Sequence, residues 1–291
     1  MLKGSFVALV TPFKNNEIDY TALEELIDFH LENNTDGILF CGTTGESPSL
    51  ASDEKERLVR FGVKKINKRV PVMVGTGSNN LNHSIAATAK AKEWGADYAL
   101  VITPYYNKPT QAGMYEYFKR IEAKTNIPIV LYNVPGRTGV NINSDTTLRL
   151  ALDCERIVGI KEASGDLVQV SEIIRGASED FAVMSGEDAL NLPYMSCGAK
   201  GAISVTANIL PQQVHDLIDL ALKGKYVEAK KIHLELLEMN QKIFIETNPI
   251  PVKYALYKMG RISNELRLPM YQMEDKNKGC LETSLRKYNL I

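Results

Sequence analysis

The stretch Ile157-Val-Gly-Ile-Lys-Glu-Ala-Ser164 is the starting point for the fold. An apolar, β-branched run ends at Lys161, and small and polar residues follow it. This pattern predicts a buried strand that carries one amine to the point where a loop begins. Because burial disfavours the charged form of an amine, such a lysine can supply a neutral nucleophile that attacks a carbonyl. The alternative is a surface lysine at a strand end.

Similar apolar runs recur on both sides of this stretch, and each is followed by turn residues and an amphipathic segment. The predicted strands are Gly4–Val10, Gly37–Cys41, Val70–Val74, Tyr98–Ile102, Ile127–Tyr132, Ile157–Lys161, Phe181–Ser185 and Ala202–Val205. The predicted helices between them are Thr21–Glu32, Asp53–Asn67, Ser84–Trp94, Gly113–Lys124, Ser144–Leu152, Leu167–Ala177 and Ala189–Cys197.

Eight strands that alternate with helices indicate an α/β protein with parallel strands and right-handed crossovers. In a chain of 291 residues this count favours a (β/α)8 TIM barrel. An open, doubly wound sheet is the alternative, and periodicity alone does not exclude it.

From Pro211 onward the alternation stops. The segments Pro211–Leu222, Tyr226–Glu246 and Pro249–Met259 are typical of consecutive helices. The first would complete the barrel, and the others would form a C-terminal helical appendage packed on it, because no linker-like segment intervenes. We therefore predict a catalytic barrel over residues 1–223 and a C-terminal helical region over residues 224–291.

The composition excludes several classes of protein. A hydrophobic fraction of 44% supports a sizeable core, and 34 basic residues balance 35 acidic ones without a basic stripe. We therefore expect no nucleic-acid partner. The first apolar run is short and stops at Pro12, and no stretch is long enough to span a membrane, so we expect a cytoplasmic protein without membrane attachment.

The cysteines and histidines form no recognisable ligand set. Cys41, Cys154, Cys197 and Cys280 are scattered without a CxxC pair, and the four histidines form no HExxH motif. Free thiols in a reducing compartment and the absence of a metal site are therefore expected.

In a barrel enzyme the site forms at the carboxyl ends of the strands. The loop Gly42–Ser47 follows the second predicted strand with hydroxyls and glycines just before a helix. Its backbone N–H groups could hold a small anion, and an ordinary βα turn explains the loop equally well. It is not a P-loop, because no lysine follows the second glycine.

Three further positions at strand ends suggest chemistry. Tyr132 ends the strand before that of Lys161, where a phenol could transfer protons to an imine; a core tyrosine is the commoner case. Arg137 lies in a Gly/Pro/Thr turn that suits a carboxylate-binding fork or a solvated loop arginine. Tyr105 and Tyr106 are adjacent aromatics in a polar loop, which indicates either a subunit interface or a ligand contact.

Four motifs in this order carry a family resemblance: Gly42-Thr-Thr-Gly-Glu-Ser47, Tyr132-Asn-Val-Pro-Gly-Arg-Thr-Gly139, Gly159-Ile-Lys-Glu-Ala163 and Gly201-Ala-Ile-Ser-Val-Thr-Ala-Asn208. With them the chain resembles the dihydrodipicolinate (4-hydroxy-tetrahydrodipicolinate) synthase family. That family lies within the pyruvate-dependent class I aldolases, which include N-acetylneuraminate lyase. The resemblance runs from Gly4 into the C-terminal region.

The resemblance implies a catalytic set. Lys161 would form an imine with pyruvate, and Tyr132 would be the phenol that transfers protons. Thr43 would relay protons between Tyr132 and Tyr106, and a neighbouring subunit would supply Tyr106. A homo-oligomer, in the family a tetramer built from two dimers, is implied with it.

The resemblance also implies substrate-binding residues. Thr44 would hold the pyruvate carboxylate through its backbone and hydroxyl, and Arg137 would receive the carboxylate of L-aspartate 4-semialdehyde. Gly186 and Ile203 would line the pocket around the imine. The implied reaction is a step of diaminopimelate and lysine biosynthesis that needs no cofactor beyond the covalent imine.

Two alternative functions stay open at this stage. One is a related aldolase that uses the same imine with another aldehyde; the sialate and sugar-acid lyases have no arginine at the place of Arg137. The other is a barrel that binds pyruvate or an amino acid without turnover, although a binder needs no amine nucleophile.

The chain departs from lysine-inhibited members of the family at their regulatory pocket between subunits. Ser47 and Asn79 match those members, whereas Ser52, Lys55 and His83 replace polar, imidazole and acidic ligands. Inhibition by lysine is therefore expected to be weak or absent.

Overall fold

Apolar runs become parallel strands that close into a barrel in the computed structural model, which describes residues 2–291. The strands are β1 (Gly4–Ala8), β2 (Phe13–Lys14), β3 (Glu17–Ile18), β4 (Gly37–Phe40), β5 (Val72–Gly75), β6 (Tyr98–Ile102), β7 (Ile129–Asn133), β8 (Ile157–Glu162), β9 (Ala182–Ser185) and β10 (Gly201–Ser204). Strands β2 and β3 form a separate antiparallel hairpin, and the other eight form the barrel, in which β1 pairs with both β4 and β10. The predicted (β/α)8 TIM barrel is confirmed.

Helices surround the barrel and continue beyond it. They are α1 (Tyr20–Glu32), α2 (Ser52–Ile66), α3 (Leu81–Glu93), α4 (Gln111–Lys124), α5 (Pro135–Thr138), α6 (Ser144–Asp153), α7 (Leu167–Gly176), α8 (Asn191–Cys197), α9 (Pro211–Leu222), α10 (Tyr226–Lys242), α11 (Ile250–Lys258) and α12 (Asp275–Lys287). No helix within residues 2–291 is both long enough and apolar enough to cross a membrane.

Three elements were not anticipated from the sequence: the four-residue helix α5, helix α12 and the hairpin β2–β3. Helix α12 buries only Leu281, Ser284 and Leu285, so its apolar stripe is too narrow to stand out from the polar residues around it. The hairpin β2–β3 has only two residues in each strand, which is too short for a period-2 pattern to be recognised.

The barrel interior is a packed apolar core, with Tyr132 and Lys161 near the carboxyl ends of their strands. Large apolar side chains fill it, among them Phe6, Leu39, Met73, Val130, Met184 and Ile203. Because side chains alternate along a strand, Lys161 shares the interior face with Tyr132, its register partner on β7, whereas Ile160 packs in the outer core. The pairing of β7 with β8 thus brings the amine and the phenol ring together.

Candidate active site

A cavity of about 660 Å³ opens at the carboxyl ends of the barrel strands. Six of the residues selected from the sequence line it, namely Thr43, Thr44, Tyr132, Arg137, Lys161 and Gly186. Residues 244–248, between α10 and α11, complete the wall. The cavity therefore unites most of the predicted site at the end of the barrel where such enzymes place their chemistry.

The amine of Lys161 is held in this cavity without a counter-ion. The side chain is nearly buried, and its Nζ lies 4.5 Å from the centroid of the Tyr132 ring. Among the described residues no carboxylate forms a salt bridge with it. Gly186 leaves room for its stem, because a Cβ at this position would lie 3.0 Å from Lys161 Cε and 2.8 Å from Ala163 Cβ.

A buried carboxylate on the other face of β8 fixes the strand that carries Lys161. Glu162 accepts hydrogen bonds from Asn133 Nδ2 at 2.9 Å, from Gln169 Nε2 at 3.0 Å and from the Ser164 backbone N–H at 2.8 Å. Burial raises the pKa of Glu162, and these hydrogen bonds act in the opposite direction. The network holds the end of the strand, and sequence reasoning missed it.

Glu187 is an acidic lining residue that sequence reasoning also missed. Burial is the main cause that raises the pKa of its carboxyl, and the charge of Asp188 acts in the same direction. The positive charge of Lys161 lowers it. The pKa of the Glu187 carboxyl therefore depends on the charge of the Lys161 amine.

The loop from Gly42 to Ser47 is fixed from two sides. Thr44 Oγ1 accepts a hydrogen bond of 2.9 Å from Asn248 Nδ2, and Thr11 Oγ1 donates one of 2.7 Å to the Gly45 carbonyl. Near the end of the loop, the backbone of Glu46 is in the left-handed region with φ of 52°. Thr44 is thus held by the C-terminal region, a contact that sequence reasoning did not foresee.

A buried ion pair ties this loop to the C-terminal helices. Lys253 Nζ donates to Glu46 Oε1 at 2.6 Å and to the Thr11 carbonyl at 2.9 Å, and both charged side chains are inaccessible to solvent or nearly so. Burial lowers the pKa of Lys253, and the Glu46 carboxylate opposes this shift. The Arg267 backbone N–H donates to the other Glu46 oxygen at 3.0 Å. Both oxygens of Glu46 and two of the three ammonium protons of Lys253 thereby have hydrogen-bond partners in the loop and its supports.

Arg137 lies at the rim of the cavity in the short helix α5. It is exposed, and its Nη2 donates a hydrogen bond of 3.2 Å to the Asn248 carbonyl. One edge of the guanidinium is therefore anchored, while its other donors remain available to a ligand.

Two of the selected residues do not line this cavity. Ile203 is buried in the barrel interior with Tyr132. Tyr106 is 89% exposed, and its backbone has φ of 68°, an unusual conformation for a bulky residue. Its neighbour Tyr105 lines an adjoining cavity with Thr43 and Tyr132. Within one chain the cavity therefore brings together the selected residues except Ile203 and Tyr106.

Comparisons with known proteins agree with this geometry. Residues 1–288 match the Dihydrodipicolinate synthetase family. A 4-hydroxy-tetrahydrodipicolinate synthase of Thermodesulfovibrio yellowstonii is 52% identical over 100% of both chains. The crystal structure of dihydrodipicolinate synthase from Aquifex aeolicus, 49% identical, superposes with a TM-score of 0.98 over 99% of both chains.

A second solved structure shows a relative with a bound ligand. The crystal structure of the enzyme from Cyanidioschyzon merolae with lysine bound is 37% identical, with a TM-score of 0.96 over 99% of both chains. With a match over nearly its whole length in sequence and in structure, the chain belongs to the dihydrodipicolinate synthetase family.

Proposed function

We propose that this chain is a lyase of the Schiff-base-forming class I aldolase type that condenses pyruvate with L-aspartate 4-semialdehyde, the 4-hydroxy-tetrahydrodipicolinate synthase reaction. The observation that supports this most is the unpaired amine of Lys161 beside the Tyr132 ring, in a cavity that also contains Thr44 and Arg137. The product would enter diaminopimelate and lysine biosynthesis.

The first step is formation of the imine. The Lys161 amine attacks the ketone carbon of pyruvate, and water leaves from the resulting carbinolamine. Thr44 is fixed by Asn248, so its hydroxyl and backbone would hold the pyruvate carboxylate in one orientation. The imine nitrogen then serves as the electron sink, so the reaction needs no metal or organic cofactor.

Proton transfer and carbon–carbon bond formation follow. Loss of a proton from the methyl group gives an enamine, and Tyr132 would carry protons to and from the substrate, with Thr43 as the relay to Tyr106 of the partner subunit. The enamine carbon attacks the aldehyde carbon of the second substrate. The amino group of that substrate then displaces Lys161 and closes the ring, which regenerates the free amine.

We further propose that the active species is a cytoplasmic homo-oligomer. The support is Tyr106, which lies exposed and outside its own cavity although the relay requires a phenol next to Thr43. The family resemblance favours a tetramer built from two dimers.

Arg137 distinguishes this reaction from that of a sugar-acid or sialate lyase. With pyruvate, the purified protein should consume aspartate 4-semialdehyde far faster than sugar aldehydes. In Arg137→Ala, kcat/KM for the semialdehyde should fall by about thirtyfold to a thousandfold, because a charge-assisted bidentate contact of about 2–4 kcal/mol is lost. Steady-state assays with both aldehydes measure this.

Two controls make the Arg137 result specific. The variant should still form the pyruvate imine, since this step precedes arrival of the aldehyde. Arg120→Ala, which removes an exposed arginine on α4 outside the cavity lining, should retain normal kinetics. Near-normal kcat/KM in Arg137→Ala, or a preference for sugar aldehydes, would contradict the proposed substrate.

Lysine should inhibit this protein weakly. Ser52, Lys55 and His83, which the family resemblance places in the regulatory pocket, line one cavity. Lys55 places a positive charge where a second ammonium group would have to bind, and like charges in a partly closed cavity disfavour binding. Assays with increasing lysine should show little inhibition; half-inhibition below about 1 mM that disappears in Lys55→Ala would refute this expectation.

A further inference from the structure

The active-site cavity contains a carboxylate that the proposed reaction steps do not use. Glu187 and Glu246 are the two acidic residues of its lining. Glu246 Oε1 is already engaged, because it accepts hydrogen bonds from the Glu274 backbone N–H at 3.0 Å and from Asn277 Nδ2 at 2.8 Å. The Glu187 carboxylate forms no salt bridge within residues 2–291, so it remains available to a cation that enters the cavity.

Glu187 lies close to the reacting amine without touching it. It directly follows Gly186, where an added Cβ would lie 3.0 Å from Lys161 Cε. The positive charge of Lys161 lowers the pKa of Glu187, although no salt bridge joins these two side chains in the described part of the chain. The carboxylate is therefore within electrostatic reach of the Lys161 nitrogen, and the gap between them can admit a group of the substrate.

The charge that Glu187 faces changes during the proposed reaction. In the enamine the Lys161 nitrogen is neutral, so the cation that lowers the pKa of Glu187 is lost, while burial and the charge of Asp188 still raise it. The group that a partner subunit would add, the phenol of Tyr106, is uncharged near neutral pH and does not replace this cation. A cation that arrives with the second substrate would restore the lost attraction.

We propose, on the basis of the proposed function, that Glu187 binds the ammonium group of the second substrate and takes a proton from it. L-aspartate 4-semialdehyde carries one carboxylate and one α-ammonium group. Arg137 would hold the carboxylate, and Glu187 is the acidic side chain of the lining that remains for the ammonium group. The pair would select an aldehyde that carries both charges over one that carries the carboxylate alone.

The proton transfer prepares the closing of the ring. After the carbon–carbon bond has formed, the Glu187 carboxylate accepts one proton from the ammonium group, which frees an electron pair on that nitrogen. The pair attacks the carbon of the protonated imine and forms a new carbon–nitrogen bond. A proton then passes to the Lys161 nitrogen, its bond to carbon breaks, and Lys161 leaves as a neutral amine from a protonated cyclic imine. Glu187 afterwards returns its proton to solvent.

Borohydride trapping during turnover tests the proton transfer. Glu187→Gln is mixed with pyruvate and aspartate 4-semialdehyde and quenched with borohydride, and the intact protein is then weighed by mass spectrometry. We expect a heavier adduct on Lys161 that contains both substrates, because ring closure stalls after the carbon–carbon bond has formed. The kcat should fall by about a hundredfold, whereas imine formation with pyruvate alone should persist and show that the variant is folded. A normal kcat, or a reduced kcat without the heavier adduct, would overturn the proposal.

Succinate semialdehyde tests recognition of the ammonium group, because it has the same aldehyde and carboxylate but no amino group. In Glu187→Gln the KM for aspartate 4-semialdehyde should rise by about tenfold, while the inhibition constant of succinate semialdehyde should change by less than about twofold. Glu187→Asp, which keeps the carboxylate on a shorter stem, should recover part of the lost kcat. Equal weakening of both aldehydes would mean that Glu187 only shapes the cavity.

Glu179→Gln is the matched control, since it removes the same charge from an exposed position outside the cavity lining. It should leave kcat and both aldehyde constants within about twofold, because solvent and salt screen a distant surface charge. The same losses in Glu179→Gln would mean that the overall charge of the protein, and not Glu187, attracts the substrate. If the proposed function itself is wrong, the wild-type protein will not consume aspartate 4-semialdehyde. If the role of Glu187 alone is wrong, the wild type will consume it and Glu187→Gln will behave alike.

Discussion

Replacing Lys161 with alanine should abolish condensation and remove the only group that forms a covalent adduct with pyruvate. The loss in kcat/KM should be at least on the order of ten-thousandfold. Without the nucleophile no imine forms, so the other catalytic residues have no intermediate to act on. The side chain is nearly buried and its amine has no salt-bridge partner in the described chain, so no neighbour competes with the ketone for it.

Borohydride reduction with pyruvate measures this directly. Reduction converts the imine to a stable amine, so mass spectrometry of the intact protein should show one adduct per chain, and peptide mapping should place it at Lys161. Lys200→Ala, which changes a lysine just before the amino end of β10, should label normally. An adduct on another residue, or an undiminished adduct in Lys161→Ala, would contradict the aldolase mechanism.

The barrel and the pairing of Lys161 with Tyr132 could be predicted because both follow from short local patterns in the sequence. Each strand is a short apolar run bounded by turn residues, and the amine and phenol come last in the predicted runs that end at Lys161 and Tyr132. Neighbouring parallel strands then place these two ends side by side, as the register Tyr132↔Lys161 shows. A sequence pattern of this kind encodes both the fold and the place of its chemistry.

The supports of the site could not be predicted, because they join distant parts of the chain. Lys253 and Glu46 are 207 residues apart, and Asn248 and Thr44 are 204 apart. In the sequence, Lys253 and Glu46 resemble any surface lysine and glutamate, since a local pattern does not show which charged residue will be buried against which.

The C-terminal region forms part of the candidate site. Sequence periodicity predicted only that the C-terminal region forms helices beyond the barrel. In the structure, residues 244–248 line the cavity, and Asn248 contacts both Thr44 and Arg137. The segment therefore couples the proposed carboxylate-binding sites of both substrates. Removing one partner of the buried Lys253–Glu46 pair would leave an uncompensated charge, at a cost of about 3–5 kcal/mol.

Tyr106 should act in the cavity of a partner subunit. Its side chain is 89% exposed, and its φ of 68° is costly for an aromatic residue. The neighbouring Tyr105 lies beside Thr43 and Tyr132, so the loop is already at the edge of the relay. Tyr106→Phe should lose the phenol and about a hundredfold to ten-thousandfold in kcat, the usual range for proton-transfer groups.

Mixing the two inactive variants tests whether the tyrosine is exchanged. In a two-fold dimer of one Tyr106→Phe subunit and one Lys161→Ala subunit, one site keeps its own Lys161 and receives an intact Tyr106 from its neighbour. Random exchange of equal amounts should therefore restore roughly a quarter of wild-type activity, since half of the dimers are mixed and each has one complete site. Each parent alone remains inactive or nearly so. Mixed dimers that are demonstrated by mass spectrometry but show no recovery would mean that Tyr106 serves its own subunit or only packs.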